Sequence, residues 1–183
     1  MTSAKSLFLC LLLAAAAACA RHPEPEAAAG YPAAVTAVAD GDTVRVTDGH
    51  GRKHKIRLAY IDAPETDQAH GRASREALQR LLDGQRVRIE VFDTDQYGRE
   101  VARVSLNGQD VNLSQIQNGH AWHYRSIARK NQSPDDYRRY EAAENRAKQN
   151  RTGLWRQSDP VAPWTFRYRK RHAAPSGRQP ESP

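Results

Sequence analysis

Five short segments of alternating apolar and polar residues constrain the fold of this chain more than any other feature. They cover residues 35–39, 43–47, 53–61, 87–91 and 101–106. A period of two places alternate side chains on one buried face, which is typical of half-buried β-strands. In the second segment we expect Val44 and Val46 to face inward and Thr43 to face outward. Turn-forming residues at 48–49 then predict a hairpin into the third strand.

Helical patterns interrupt and follow these strands. A stripe of leucines at helical spacing, ending at Gly84, predicts a helix between the third and fourth strands. Asn112 is expected to cap a short helix through Ile116, and Ser133 to cap a longer one. A three-stranded meander, a helix and two further strands follow the element order of an OB-fold barrel. We therefore predict an α+β, mainly β fold: a five-stranded OB-fold barrel with about three helices.

Length and charge set the outer bounds of function. The 183 residues suit one packed domain with flanking segments. The formal net charge is +7 and the isoelectric point is about 9.7. A basic balance favours an acidic partner such as nucleic acid, although basic surfaces also serve solubility.

Residues 1–20 are typical of a targeting segment. Lys5 precedes an apolar run at 7–18 that is short for a membrane span and is followed by small residues. The end of this run fits either a lipoprotein signal, with Cys19 as the acylated residue, or ordinary signal cleavage. Cys10 leaves with the peptide in both cases, so the mature chain has no internal disulfide. We expect an extracytoplasmic protein, and we favour a lipoprotein that contacts the membrane only through its lipid anchor.

The remaining chain divides by composition. The composition of residues 21–34, rich in Ala, Pro and Glu, predicts a flexible tether. We expect the domain to cover residues 35–156. A basic aromatic extension at 157–172 and a disordered tail at 173–183 follow it. Trp164 in the extension could stack on nucleic acid or dock on the domain, and we favour docking.

Three polar motifs lie at the ends of strand-like segments or in turns. They are Asp40-Gly41-Asp42-Thr43, Ile61-Asp62-Ala63-Pro64-Glu65-Thr66 and Asp95-Gln96-Tyr97-Gly98-Arg99, and Arg57 lies upstream of the second. Carboxylates bind hard cations, and the planar fork of arginine fits phosphate oxygens. Together these residue types predict metal-assisted cleavage of a phosphodiester.

The order and spacing of these motifs resemble the staphylococcal nuclease (thermonuclease) family, over residues from about 35 to 155. The resemblance implies a calcium-dependent enzyme that cleaves DNA and RNA by in-line attack of water and leaves 3'-phosphate ends. It also implies roles for single residues: calcium ligands at Asp42, Asp62 and the backbone carbonyl of Ala63, an acid near the attacking water at Glu65, and phosphate-binding arginines at Arg57 and Arg99. Many relatives have threonine where Ala63 stands, and a main-chain ligand survives that change.

Other residues keep more than one interpretation. Asp40 is expected to lie behind the metal or to cap the turn, and Glu65 to act as a general base or to orient the water. Tyr97 could pack under a base or bind a phosphate, and Tyr124 lies where tyrosines of relatives help hold the nucleotide. His120 and His123 do not form a convincing metal set.

Two alternative functions differ in class from a nuclease. The first is an OB-fold module that binds nucleic acid without cleaving it, which leaves the acids unexplained because they would repel phosphates. The second is an envelope lipoprotein that binds another polyanion. We predict no protein partner.

Overall fold

The computed structural model describes residues 30–173. The segment 1–20 with Cys10 and Cys19, most of the predicted tether and the tail from residue 174 lie outside this range. The strands are β1 (Tyr31–Val38), β2 (Thr43–Asp48), β3 (Lys53–Leu58), β4 (Ile61–Asp62), β5 (Arg86–Thr94), β6 (Glu100–Leu106), β7 (Gln109–Asp110) and β8 (Trp122–His123). The helices are α1 (Gly71–Leu82), α2 (Val111–Gln117), α3 (Arg125–Asn131), α4 (Pro134–Gln149) and α5 (Pro163–His172).

Five strands close into a barrel. β1, β2 and β3 form an antiparallel meander, β1 also pairs with β5, and β5 pairs with β6. A parallel pairing of β3 with β6 closes the ring. The closed five-stranded barrel confirms the predicted OB fold, although β1 begins at Tyr31, earlier than the alternation indicated.

The apolar face of the alternating strands fills the barrel. Its fully buried side chains include Val44, Val46, Ile56, Leu58, Ile89 and Val104. The prediction that Thr43 faces outward is wrong, because its side chain is 1% exposed. The Thr43 hydroxyl donates to Asp42 Oδ1 at 3.2 Å, so the start of β2 faces a buried polar site and not solvent.

The segment predicted as one strand over 53–61 is divided at Tyr60. This residue has φ 64°, a left-handed conformation that ends β3 and turns the chain into β4. β4 leaves the barrel and pairs with β8, with Ile61 opposite His123 and Asp62 opposite Trp122. The break therefore places Asp62 in a two-stranded sheet that is separate from the barrel.

The helices differ from prediction in number and in one cap. Within residues 30–173 the structure has five α-helices, not about three, because neither α3 nor α5 has a helical pattern that is recognisable in the sequence. Asp110, not Asn112, caps α2, and its side chain accepts from the Leu113 amide at 3.0 Å. Asn112 is instead fully buried and bonds the backbone of Ala59, Ala102 and Val104, which ties α2 to the barrel.

The basic extension docks on the domain. Trp164 contacts Trp122 and Tyr124, with ring centroids 5.6 and 5.5 Å apart. Before α5, the Val161 carbonyl accepts from Gln68 Nε2 at 2.6 Å. Within the described residues, no helix combines the length and the apolar character needed to cross a membrane.

Candidate active site

A cavity of about 460 Å³ is lined by residues of β3, β4, α5 and the neighbouring loops. Its lining includes all nine site residues that the sequence predicted within residues 30–173: Asp40, Asp42, Arg57, Asp62, Ala63, Glu65, Tyr97, Arg99 and Tyr124. Segments up to 84 residues apart along the chain thus meet at one place. Cys19 lies outside the described residues.

Asp42 is held by the backbone of two neighbouring turns. Its amide donates to Asp40 Oδ1 at 3.0 Å, so Asp40 makes the turn-capping contact that was one of its two interpretations. Asp42 Oδ2 in turn accepts from the Ala63 amide at 2.7 Å. This bond joins the loop before β2 to the segment after β4 and brings Asp42, Asp62 and Ala63 together.

Arg57 links the two aspartates. Its Nη1 atom lies 3.0 Å from Asp42 Oδ2, and its Nη2 atom lies 3.0 Å from Asp62 Oδ1. The guanidinium is supplied by β3, which pairs with β2 so that Arg57 lies opposite Thr43. One cation therefore contacts both buried carboxylates.

Burial dominates the electrostatics of Asp42. Loss of solvent raises the pKa of its carboxyl to about 7, Arg57 opposes the shift, and the negative charges of Asp40 and Asp62 add to it. A further cation nearby stabilises the charged form of a buried acid of this kind. Asp42 and Asp62 are consequently suited to bind a cation together.

Glu65 lies at the rim of the cavity and its backbone is firmly held. Its amide donates to Gln68 Oε1 at 3.2 Å, and its carbonyl accepts from the Gln68 amide at 2.8 Å. Gly71, at the start of α1, packs against the same carbonyl so closely that a Cβ there would lie 1.7 Å from the oxygen. Neither Gln68 nor Gly71 could be identified from the sequence as a residue that supports the site.

Arg99 and the two tyrosines, Tyr97 and Tyr124, also line the cavity. Asp95 accepts from Arg99 Nε at 2.7 Å and orients the guanidinium, which lies 5.7 Å from the Tyr97 ring centroid. Tyr97 is 73% exposed and is open to a ligand. Tyr124 stacks on Trp164 with an interplanar angle of 12°.

Arg167 is a site residue that sequence reasoning missed. It comes from α5 and contacts both Asp62 and Glu65. The only signal was the basic composition of the extension, and a contact across 105 positions cannot be read from composition. Arg171, from the next turn of α5, also lines the cavity.

The histidines pair with other groups. His120 Nδ1 and His70 Nε2 lie 3.1 Å apart, and His123 Nε2 lies 3.0 Å from Gln132 Oε1. Neither His120 nor His123 lines the cavity.

Comparisons with known proteins agree with this geometry. The profile of the family described as "Staphylococcal nuclease homologue" matches residues 55–157, more than half of the chain. An uncharacterized endonuclease of Escherichia coli O157:H7 is 37% identical over 74% of this chain and 84% of its own length.

Plant proteins are similar over the same domain. The probable staphylococcal-like nuclease CAN3 of Oryza sativa subsp. japonica is 38% identical over 67% of this chain. The staphylococcal-like nuclease CAN1 of Arabidopsis thaliana is 35% identical over 66% of it. The aligned part spans only 30% and 35% of these two relatives. The matched domain, the closed barrel and the motif residues gathered at one cavity show that this chain belongs to the staphylococcal nuclease family.

Proposed function

We propose that this protein is a calcium-dependent nuclease that hydrolyses phosphodiester bonds of DNA and RNA. The observation that carries the proposal is the cavity in which Arg57 contacts both Asp42 and Asp62 at 3.0 Å and Glu65 lies at the rim. Carboxylates repel a phosphate backbone, so a surface built only for binding has no need of them. Membership of a metal-dependent nuclease family supports the same function.

Calcium suits the donor set. Asp42 and Asp62 offer carboxylate oxygens, and the carbonyl of Ala63 is the expected third protein ligand. Within residues 30–173, no group of three or more His, Cys, Asp and Glu side chains is arranged to hold a metal. Water and substrate oxygens would therefore complete the coordination, and the affinity should be modest. When bound, the ion neutralises charge on the phosphate and makes a nearby water more acidic.

The protein's own side chains supply the rest of the chemistry. Arg57 and Arg99 present planar donors that fit phosphate oxygens and offset the charge that grows during attack. Glu65 accepts a proton from the attacking water or holds it in position. Water adds to phosphorus, the bond to the 5'-oxygen breaks, and that oxygen takes up a proton. The products are a 3'-phosphate and a 5'-hydroxyl.

One assay tests this function. Plasmid DNA, and separately a labelled RNA, are incubated with the purified protein in millimolar calcium and in excess chelator. We expect cleavage only with calcium, and we expect that a 3'-phosphatase makes the DNA fragments extendable by a polymerase. Full activity in chelator would exclude calcium dependence, and tight binding without any cleavage would favour the binding module.

We also propose that the protein works outside the cytoplasm. Support comes from the sequence alone, in Lys5, the apolar run at 7–18 and Cys19. The wild-type protein should fractionate with membranes, and Cys19→Ser should release it or leave it unprocessed. A wholly soluble wild-type protein whose amino terminus is Arg21 would instead show ordinary secretion.

A further inference from the structure

The guanidinium of Arg167 contacts two acidic side chains of the cavity, those of Asp62 and Glu65. Its Nη2 atom is 2.8 Å from Asp62 Oδ2, and its Nη1 atom is 3.2 Å from Asp62 Oδ1 and 2.7 Å from Glu65 Oε1. This is the two-pronged geometry in which arginine binds a carboxylate most strongly. Hydrogen bonds to Asp62 and then Glu65 raise the pKa of Arg167, so the group stays charged.

Contacts on either side of Arg167 hold α5 in place. Near the start of the helix Trp164 packs on Trp122 and Tyr124. Near its end Lys170 Nζ lies 2.5 Å from Asp67 Oδ2. The middle of the helix, with Arg167, is thereby directed at the acids.

Asp62 has little capacity to bind a metal ion in this arrangement, because two arginines already contact its carboxylate. Its side chain is 1% exposed, and both of its carboxylate oxygens contact Arg167. Oδ1 also contacts Arg57 Nη2 at 3.0 Å. A divalent ion that binds Asp62 must either lie next to a guanidinium of the same sign, which Coulomb repulsion opposes, or displace that guanidinium.

We propose that Arg167 is an internal cation that competes with the metal for Asp62 and also pairs with Glu65, so that α5 holds the enzyme in a low-affinity state until calcium displaces the guanidinium. The proposal rests on the function proposed above, since it requires that the acidic group binds a metal. α5 follows the part of the chain that matches the family profile. The proposed regulation of calcium affinity is therefore a property of the basic aromatic extension. Nucleic acid would then meet a site from which Arg167 has withdrawn.

The test measures calcium affinity without nucleic acid. Calorimetric titration compares the wild type with Arg167→Gln and with Arg169→Gln, which removes the same charge from an exposed position of the same helix. We expect Arg167→Gln to bind calcium about tenfold more tightly, because calcium then no longer has to displace a guanidinium from Asp62; tenfold corresponds to about 1.4 kcal/mol. Arg169→Gln should stay within about twofold of the wild type, since Arg169 is exposed and is not among the residues that line the cavity.

A second measurement follows the helix itself. Calcium should speed amide hydrogen exchange over residues 163–172 in the wild type and should change it much less in Arg167→Gln. Arg167→Lys, which keeps the charge but loses the two-pronged contact, should bind calcium with intermediate affinity.

The outcomes separate the two proposals. Calcium affinity that is equal or lower in Arg167→Gln, with normal circular dichroism, would overturn the competition while leaving the nuclease function intact. Absence of calcium binding in the wild type and in both Arg167 variants would overturn the metal site and the competition together.

Discussion

At the scale of single residues, the site depends on close packing as much as on charge. Gly41 lies between the two aspartates of the first motif, and a Cβ there would lie 2.0 Å from Ser74 Oγ and 2.7 Å from Ala63 Cβ. Its carbonyl accepts from Gln115 Nε2 at 2.8 Å. The loop that carries Asp42 is thus pressed against α1 and α2, and only glycine leaves enough space.

Gly41→Ala should therefore weaken both the fold and the site. Crowding of this kind costs about 1–3 kcal/mol of unfolding free energy, and displacement of Asp42 should lower calcium affinity. Gly49→Ala is the matched control, because a Cβ at Gly49 meets nothing within 4 Å. Urea unfolding and calcium titration of both variants check this. Equal behaviour of the two variants would mean that packing at Gly41 does not position the site.

At the scale of elements, α1 is joined to the segment between α2 and β8 by a pair of stacked histidine rings. His70 and His120 have ring centroids 5.3 Å apart, and Ser74 Oγ donates to the His120 carbonyl at 2.7 Å. Burial, reinforced by the neighbouring His70, lowers the pKa of His120 to about 4. Burial also lowers the pKa of His70.

Stability should fall on acidification because of this pair. The unfolded chain takes up a proton near pH 6.5, whereas folded His120 does so only near pH 4, so the unfolded state binds more protons between these values. The unfolding free energy should decrease as the pH falls from about 6.5 towards 4. His120→Asn should flatten this dependence in urea unfolding measured at several pH values without calcium. The exposed control His50→Asn should keep the wild-type slope, and an unchanged slope in His120→Asn would refute the assignment.

Local patterns predicted the elements whose causes are local. The period-two alternation found the five barrel strands, and Ser133 caps α4 as expected by accepting from the Asp136 amide at 3.2 Å. The burial of Thr43 was missed because the alternation does not show the buried polar site that its hydroxyl faces. The break at Tyr60 was missed because its contacts, with the Asn131 carbonyl and the Tyr124 amide, are distant in sequence. α5 was missed as a helix because Pro163 and a run of basic residues give no apolar stripe.

The candidate site could likewise be predicted only in part from local patterns. The motif positions were predictable from residue types and spacing, and the structure gathers them at one cavity. Arg167 was not predictable, because its place in the cavity depends on how α5 docks through Trp164. The residue type of Asn112 also could not show that its side chain bonds the barrel backbone and does not cap α2.

At the scale of the whole molecule, a basic protein surrounds an acidic centre. The formal net charge of +7 favours approach of a polyanion, while Asp42, Asp62 and Glu65 form the local exception. Arg57 and Arg167 neutralise these acids in the structure. This separation of charge is what we expect of a protein that attracts nucleic acid broadly and cleaves it at one point.

The most direct test of the account is the effect of Glu65→Gln on cleavage and binding of one labelled DNA oligonucleotide in saturating calcium. Because Glu65 is proposed to act in the chemical step, single-turnover cleavage should fall by about 10² or more while affinity stays the same or improves slightly. Glu76→Gln, an exposed acid on α1, is the control and should match the wild type. Cleavage by Glu65→Gln at the wild-type rate would contradict the assignment of Glu65 as the catalytic acid.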